Sequence, residues 1–126
     1  MALSSFGIVV DSFSTDRTRE ICGLFKVHFY EHEFKGHIEQ KNYALGLASF
    51  PYVLSLDADE ALSPELTESI LQAKKAGFTG VYELVRLTNY CGKWIRHCGW
   101  YPDCKLRLFD KTKGKWGGLN PHDRFE

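Results

Sequence analysis

Tyr52-Val53-Leu54-Ser55-Leu56-Asp57-Ala58-Asp59-Glu60 is the stretch on which the fold turns. It begins behind Pro51 as a near-continuous apolar run. A strand buried on both faces of a parallel sheet reads this way. The run then passes directly into three carboxylates. In extended backbone Asp57 and Asp59 project to the same side. Ligands of open α/β sheets bind outside the carboxyl ends of the strands. Two carboxylates at such a place suit a hard divalent cation, Mg2+ or Mn2+, with substrate phosphates completing its shell. The same acids also suit the flank of a helix N-terminus, because Ser63-Pro64 follows closely.

Working outward, residues 37–49 lack Pro and carry Ile38, Ala44, Leu45 and Ala48, the pattern of an amphipathic helix ended by Pro51. Before it, Gly7-Ile8-Val9-Val10-Asp11 reads as a short buried strand, and residues 12–16 as polar turn chemistry. Ile21, Leu24 and Phe25 then fall at helical spacing and predict an inward face, followed by a strand over residues 26–30. On the other side, Ser63 as N-cap and Pro64 at the first helical position predict a helix. Leu66, Ile70 and Ala73 form its inner face, and Gly77 ends it. Strand and helix alternate, which predicts one α/β domain with a largely parallel sheet. From Gly80 the texture changes: residues 82–88, 93–97 and 105–109 read as strands in antiparallel or mixed pairing. The chain opens almost at once with a strand and stops at Phe125-Glu126, so it reads as a fragment of a longer protein.

The 126 residues suit a single domain, and 44% hydrophobic with 25% charged residues is an ordinary globular composition. Zero formal net charge gives no case for nucleic-acid binding. The charges are nevertheless zoned. Residues 1–85 hold 7 Lys/Arg and 12 Asp/Glu, whereas residues 86–126 hold 9 and 4. The basic, aromatic-rich end either faces an anionic partner or membrane surface, or complements the acidic end within the fold. No apolar run approaches the roughly 20 residues that span a bilayer. Cys22, Cys91, Cys98 and Cys104 form no C-x-x-C pair, and their spacing is irregular for zinc. With no secretion signal opening the chain, reduced thiols and a cytoplasmic location are expected.

Three segments carry a resemblance to a known family. Val9-Val10-Asp11-Ser12-Phe13-Ser14-Thr15-Asp16 resembles the V-D-S/D-x-S-x-D segment of family-2 glycosyltransferases. Gln40-Lys41-Asn42-Tyr43-Ala44-Leu45 resembles that family's helix bearing a basic residue and Asn, and residues 52–60 its strand ending in D-x-D-E. The later residues 89–95, 99–103, 105–109 and 116–123 look like the lipopolysaccharide-core subgroup, which resembles β-glucosyltransferases. The resemblance implies a three-layer, A-type nucleotide-diphospho-sugar transferase fold. Its sheet would be mostly parallel with a mixed or antiparallel C-terminal part, lacking the family's first strand and helix. The nucleotide-sugar part would span about residues 6–60 and the acceptor side about residues 80–126.

What the resemblance implies for function is inverting transfer of a hexose, glucose first, from a UDP-sugar to a lipopolysaccharide-core or related glycolipid acceptor of the cell envelope. Asp11 and Ser12 would contact uracil or ribose, Lys41 the nucleotide or diphosphate, and Asp57 and Asp59 the metal and donor. The general base of the family is an Asp or Glu late in the domain, which makes Asp123 the first candidate and Asp103 the second. Trp100 and Tyr101 would stack on the acceptor, and Arg107 would meet an acceptor phosphate. Two other readings stand beside this one: a sugar nucleotidyltransferase, and an inactive core that keeps only UDP and metal binding.

Overall fold

The computed structural model describes residues 6–96, 103–120 and 122–126. The elements run β1 (Gly7–Asp11), α1 (Thr18–Cys22), β2 (Val27–Glu31), α2 (His37–Leu47), β3 (Tyr52–Leu54) and α3 (Pro64–Ala76). They continue with β4 (Tyr82–Arg86), β5 (Thr88–Tyr90), β6 (Lys93–Ile95), β7 (Asp103–Asp110), β8 (Trp116–Leu119) and β9 (His122–Phe125). No helix among the described residues is long and apolar enough to cross a membrane.

β1 and β2 pair in parallel, from Gly7 against Val27 to Asp11 against Glu31. The parallel character expected of the sheet stops there. β3 pairs antiparallel with β7, Val53 facing Phe109, and the order of this sheet is β3-β7-β4. Both β1 and β3 are half-buried rather than fully buried. The reason lies in β7, whose Leu108 and Phe109 are 3% and 0% exposed. A strand that apolar needs a neighbour on each edge, and β3 and β4 supply them. The chain is an α/β protein with mixed pairing, not one largely parallel sheet.

The core gathers Leu45 from α2, Phe109 from β7 and Trp116 from β8, with Ile38, Val53, Leu106 and Phe125 packed around them. The Phe109 ring stacks on Phe125 at 3.6 Å and meets Trp116 edge-on at 5.9 Å. α3 forms as its local chemistry dictates. The Ser63 hydroxyl accepts from the Leu66 N–H, Pro64 opens the first turn, Ile70 is buried, and Gly77 leaves the helix at φ 90°.

Two elements depart from expectation. α1 is only five residues long, and Ile21, Leu24 and Phe25 are 48%, 77% and 67% exposed. The chain breaks the helix at Gly23 and uses turn bonds, Leu24 N–H to Ile21 and Phe25 N–H to Cys22, to enter β2 beside β1. The apolar triplet therefore never turns inward. β8 and β9 pair antiparallel as a hairpin, Trp116 against Phe125 and Leu119 against His122. Gly117 and Gly118 hide this hairpin in the sequence, because Gly is a poor strand former. Gly118 has φ 95°, and a Cβ there would press on the His122 carbonyl.

Candidate active site

α2 and the β8–β9 hairpin are stitched together at three points, and the site is built on that seam. At the start of α2, Gly36 adopts φ 144° and offers no capping side chain. Asn120 supplies it from the hairpin turn, its Oδ1 accepting from the Ile38 N–H at 2.9 Å. One turn later Asn42 grips the Trp116 backbone with both ends of its amide: Nδ2 donates to the carbonyl at 2.8 Å and Oδ1 accepts from the N–H at 2.9 Å. Between them Lys41 reaches Asp123 on β9 at 2.6 Å.

Lys41 is also 3.0 Å from Asp57, and from there a chain of ion pairs runs through the site. Arg107 Nη2 bridges Asp57 at 3.0 Å and Glu60 at 2.9 Å. Arg86 lies 3.4 Å from Glu60 and 2.6 Å from Asp103, its opposite residue in the β4–β7 register. Lys105 closes the chain 3.4 Å from Asp103. Acids and bases alternate throughout: Asp123, Lys41, Asp57, Arg107, Glu60, Arg86, Asp103, Lys105. The zoning of charge in the sequence thus resolves partly as internal complementarity, since Arg86 and Arg107 of the basic zone hold Asp57 and Glu60 of the acidic one.

Burial raises the cost of ionising Asp57, but the hydrogen bond and charge of Lys41, with Arg107 and Arg86, outweigh it and hold the carboxyl below its ordinary range. Asp103 follows the same pattern: desolvation opposes its ionisation, and Arg86 and Lys105 overcome it. Burial likewise works against the charge on Arg86, and Asp103 and Glu60 more than restore it.

The acidic strand end is not extended. β3 stops at Leu54, and the Glu60 N–H donates to the Asp57 carbonyl at 3.0 Å, closing a turn. The Glu60 carboxylate accepts from the Asp57 N–H at 2.9 Å and locks it. The same-side projection of Asp57 and Asp59 expected from an extended strand is replaced by this turn. Asp57 faces the ion-pair chain, and Asp59 is exposed without a side-chain bond among the described residues. No group of three or more His, Cys, Asp or Glu that could hold a metal occurs among the described residues. Any cation held by Asp57 and Asp59 would have to take most of its shell from a ligand's oxygens. Each Asp57 oxygen accepts from one cation and keeps acceptor capacity, and Asp59 adds an exposed carboxylate.

The candidate base residues have different surroundings. Asp103 is a cross-strand partner held by Arg86 Nε and Nη2 at 2.9 and 2.6 Å. The Asp123 side chain is 9% exposed and bonded through Oδ2 to Lys41. With Lys105, Arg107, Trp116, Arg124 and Phe125 it lines a cavity of about 290 Å³. A larger open depression of about 470 Å³ lies along Asn42, Leu45, Lys111 and Lys115 and has no carboxylate in its lining. Arg107, expected to face an acceptor, is buried and lines the cavity of Asp123, and its Nε has no hydrogen-bond partner among the described residues. Trp100 and Tyr101, the expected acceptor platforms, lie outside the described residues.

At the end of β1, the Asp11 carboxylate accepts from the Ser14 N–H at 2.8 Å and the Ser14 hydroxyl at 2.5 Å. This is turn chemistry of its own loop. Ser12 Oγ accepts from Gln40 Nε2 at 3.0 Å, and Gln40 Oε1 meets His32 Nδ1 at 3.0 Å. The His32 ring stacks on Tyr43 at 3.7 Å. Phe13 is held at φ 57° and is 59% exposed beside this loop. Gln40 and Lys41, adjacent on α2, therefore join the loop of Asp11 and Ser12 to the ion-pair chain. Gln40, His32 and Asn42 were not singled out as site residues from sequence. The adjacency of Gln40 and Asn42 to Lys41 was the available signal.

Residues 7–125 match the profile of Glycosyl transferase family 2. An uncharacterized glycosyltransferase of Rickettsia conorii is 41% identical over 63 residues, covering 50% of this chain and 22% of that protein. Its counterpart in Rickettsia felis is 40% identical over 63 residues, with the same coverage of 50% and 22%. A third, from Rickettsia bellii, is 38% identical over 63 residues, covering 50% and 21%. The match thus spans less than a quarter of these curated relatives. No solved structure matches the chain significantly. The family match runs from β1 to β9 and takes in the Asp11 loop, Lys41, Asp57 and Asp123; the chain belongs to glycosyl transferase family 2.

Proposed function

We propose that the chain forms the donor and base side of an inverting glycosyltransferase that moves a hexose, glucose first, from a UDP-sugar to a lipopolysaccharide-core or related glycan acceptor. The observation that supports it is the shared Lys41 ammonium, 3.0 Å from Asp57 and 2.6 Å from Asp123. The acid expected to hold the diphosphate and the acid expected to take the acceptor's proton share this one ammonium, which supports the reading.

In this reading the loop of Asp11 and Ser12, the Gln40–His32–Tyr43 cluster and Phe13 receive the nucleoside. Lys41 meets the diphosphate. Asp57 and Asp59 would hold Mg2+ or Mn2+, which when bound acts as a Lewis acid on the leaving diphosphate. Asp123 is the base. Its Oδ1 accepts no hydrogen bond among the described residues, so it is available to an acceptor hydroxyl entering the cavity against Trp116. The hydroxyl oxygen bonds to the anomeric carbon as its proton passes to Asp123. The bond from that carbon to the diphosphate oxygen breaks, and UDP leaves with the electron pair. Asp103 is left as a structural ion-pair partner. A glycolipid acceptor would bring the enzyme to the cytoplasmic face of the inner membrane.

Calorimetric titration with UDP tests the donor half directly. Binding should require Mg2+ or Mn2+, weaken in chelator, and be lost in Asp57→Ala. Binding unchanged by chelator and by that substitution would refute the metal-assisted site.

A further inference from the structure

Lys41 and Arg107 both neutralise Asp57, but they differ in what else they hold. Arg107 is buried, and its Nη2 is shared between Asp57 and Glu60. Lys41 is a compact charge on a flexible stem, 17% exposed, shared between Asp57 and Asp123 and lying 4.5 Å from the Trp116 ring centroid. Asp57 keeps a second cation if Lys41 moves. Asp123 does not, since among the described residues its carboxylate is paired with Lys41 alone.

We infer that Lys41 is a positioning residue that couples donor binding to the release of Asp123. Before the donor binds, its ammonium pairs with the Asp123 carboxylate. A nucleoside diphosphate arriving beside Asp57 offers the ammonium several phosphate oxygens where Asp123 offers one carboxylate, and draws it to the phosphates. Asp123 is then freed for the acceptor hydroxyl only when a donor is in place. The exchange needs rotation of one side chain and no backbone movement. The inference rests on the donor site proposed above.

Coupling of this kind is reciprocal. If Asp123 and the diphosphate compete for one ammonium, neutralising Asp123 strengthens the grip on the diphosphate. That gain must disappear when Lys41 is absent. Removal of a nearby negative charge by itself would also favour an anion, but equally with or without Lys41.

The test is a double-mutant cycle read by binding alone. UDP is titrated at fixed saturating MgCl2 into the unsubstituted protein, Asp123→Asn, Lys41→Gln and the double variant. Asp123→Asn should tighten UDP binding by about fivefold or more beyond whatever tightening the same change produces in the Lys41→Gln background. Equal tightening in both backgrounds, or none in Asp123→Asn, overturns the coupling and leaves the donor site standing. Absence of UDP binding in all four proteins overturns the donor site and the coupling together. Should a variant fail to fold, the Asp123 carboxyl carbon resonance of the unsubstituted protein decides instead. It should shift as UDP saturates the site, and an unmoved resonance overturns the inference.

Discussion

Asn42 holds the backbone of Trp116 at both polar groups, donating at 2.8 Å and accepting at 2.9 Å. The pair ties α2 to the hairpin that carries Asp123. Asn42→Ala breaks both bonds and leaves partly buried backbone groups unpaired, a cost of about 1–3 kcal/mol. Asn42→Asp keeps the acceptor and loses the donor, so it should fall between. Urea unfolding of the three proteins checks the order.

Asp123 and Asp103 should separate cleanly in turnover. Asp123→Asn should remove the proposed base and lower UDP-sugar-dependent transfer by about a hundred- to ten-thousandfold. Asp103→Asn breaks a cross-strand pair, lowering stability while leaving most of the transfer rate. Steady-state rates alongside melting curves make the distinction, and the opposite pattern would exchange the two roles.

Acid should weaken the fold through the ion-pair chain. Asp57 and Asp103 both ionise below their ordinary range in the folded state, since nearby cations outweigh the burial that opposes their charge. A carboxyl depressed in this way contributes in full above its unfolded value, about 3.9. The contribution is lost as pH falls through the lower folded value. Melting temperature should therefore hold from neutral pH to about 5 and drop below about 4. Asp103→Asn should flatten that drop, which circular dichroism melts across the acid range can show.

Arg107 is predicted to be the most costly charge to remove. Arg107→Met leaves Asp57 with Lys41 and Glu60 with Arg86 as their remaining cations, at a cost of about 1–3 kcal/mol. The measurement is again urea unfolding. A loss no larger than that of an exposed residue would refute the assignment of Arg107 as the central counter-ion.

What could be read from the sequence was local. Ser63-Pro64 announced α3 because cap and first-turn chemistry act within a few residues. The acids at 57–60 and the lysine at 41 were legible as chemistry, since charged side chains at an apolar strand's end are unusual. The pairing of β3 with β7 was not, because strand partners are chosen by long-range burial. The burial of Arg107 is hidden for the same reason. Exposed strands alternate, but β7 is central, and Arg107 between Leu106 and Leu108 lies in a run buried on both faces. A charge inside such a run calls for an acidic partner, which was the signal available. The Ile21, Leu24 and Phe25 triplet shows the converse: helical spacing alone does not make a buried face when Gly23 cuts the helix short.

Along β9 the residues alternate, His122 and Arg124 outward, Asp123 and Phe125 half-buried. Because the strand period is two, a slip of one residue between β8 and β9 would turn Asp123 to solvent and carry His122 and Arg124 inward. The length of the turn around Asn120 is thus a unit of measure for the chemistry. An insertion or deletion of a single codon there would leave every side chain of the site intact in composition and misaddressed in space.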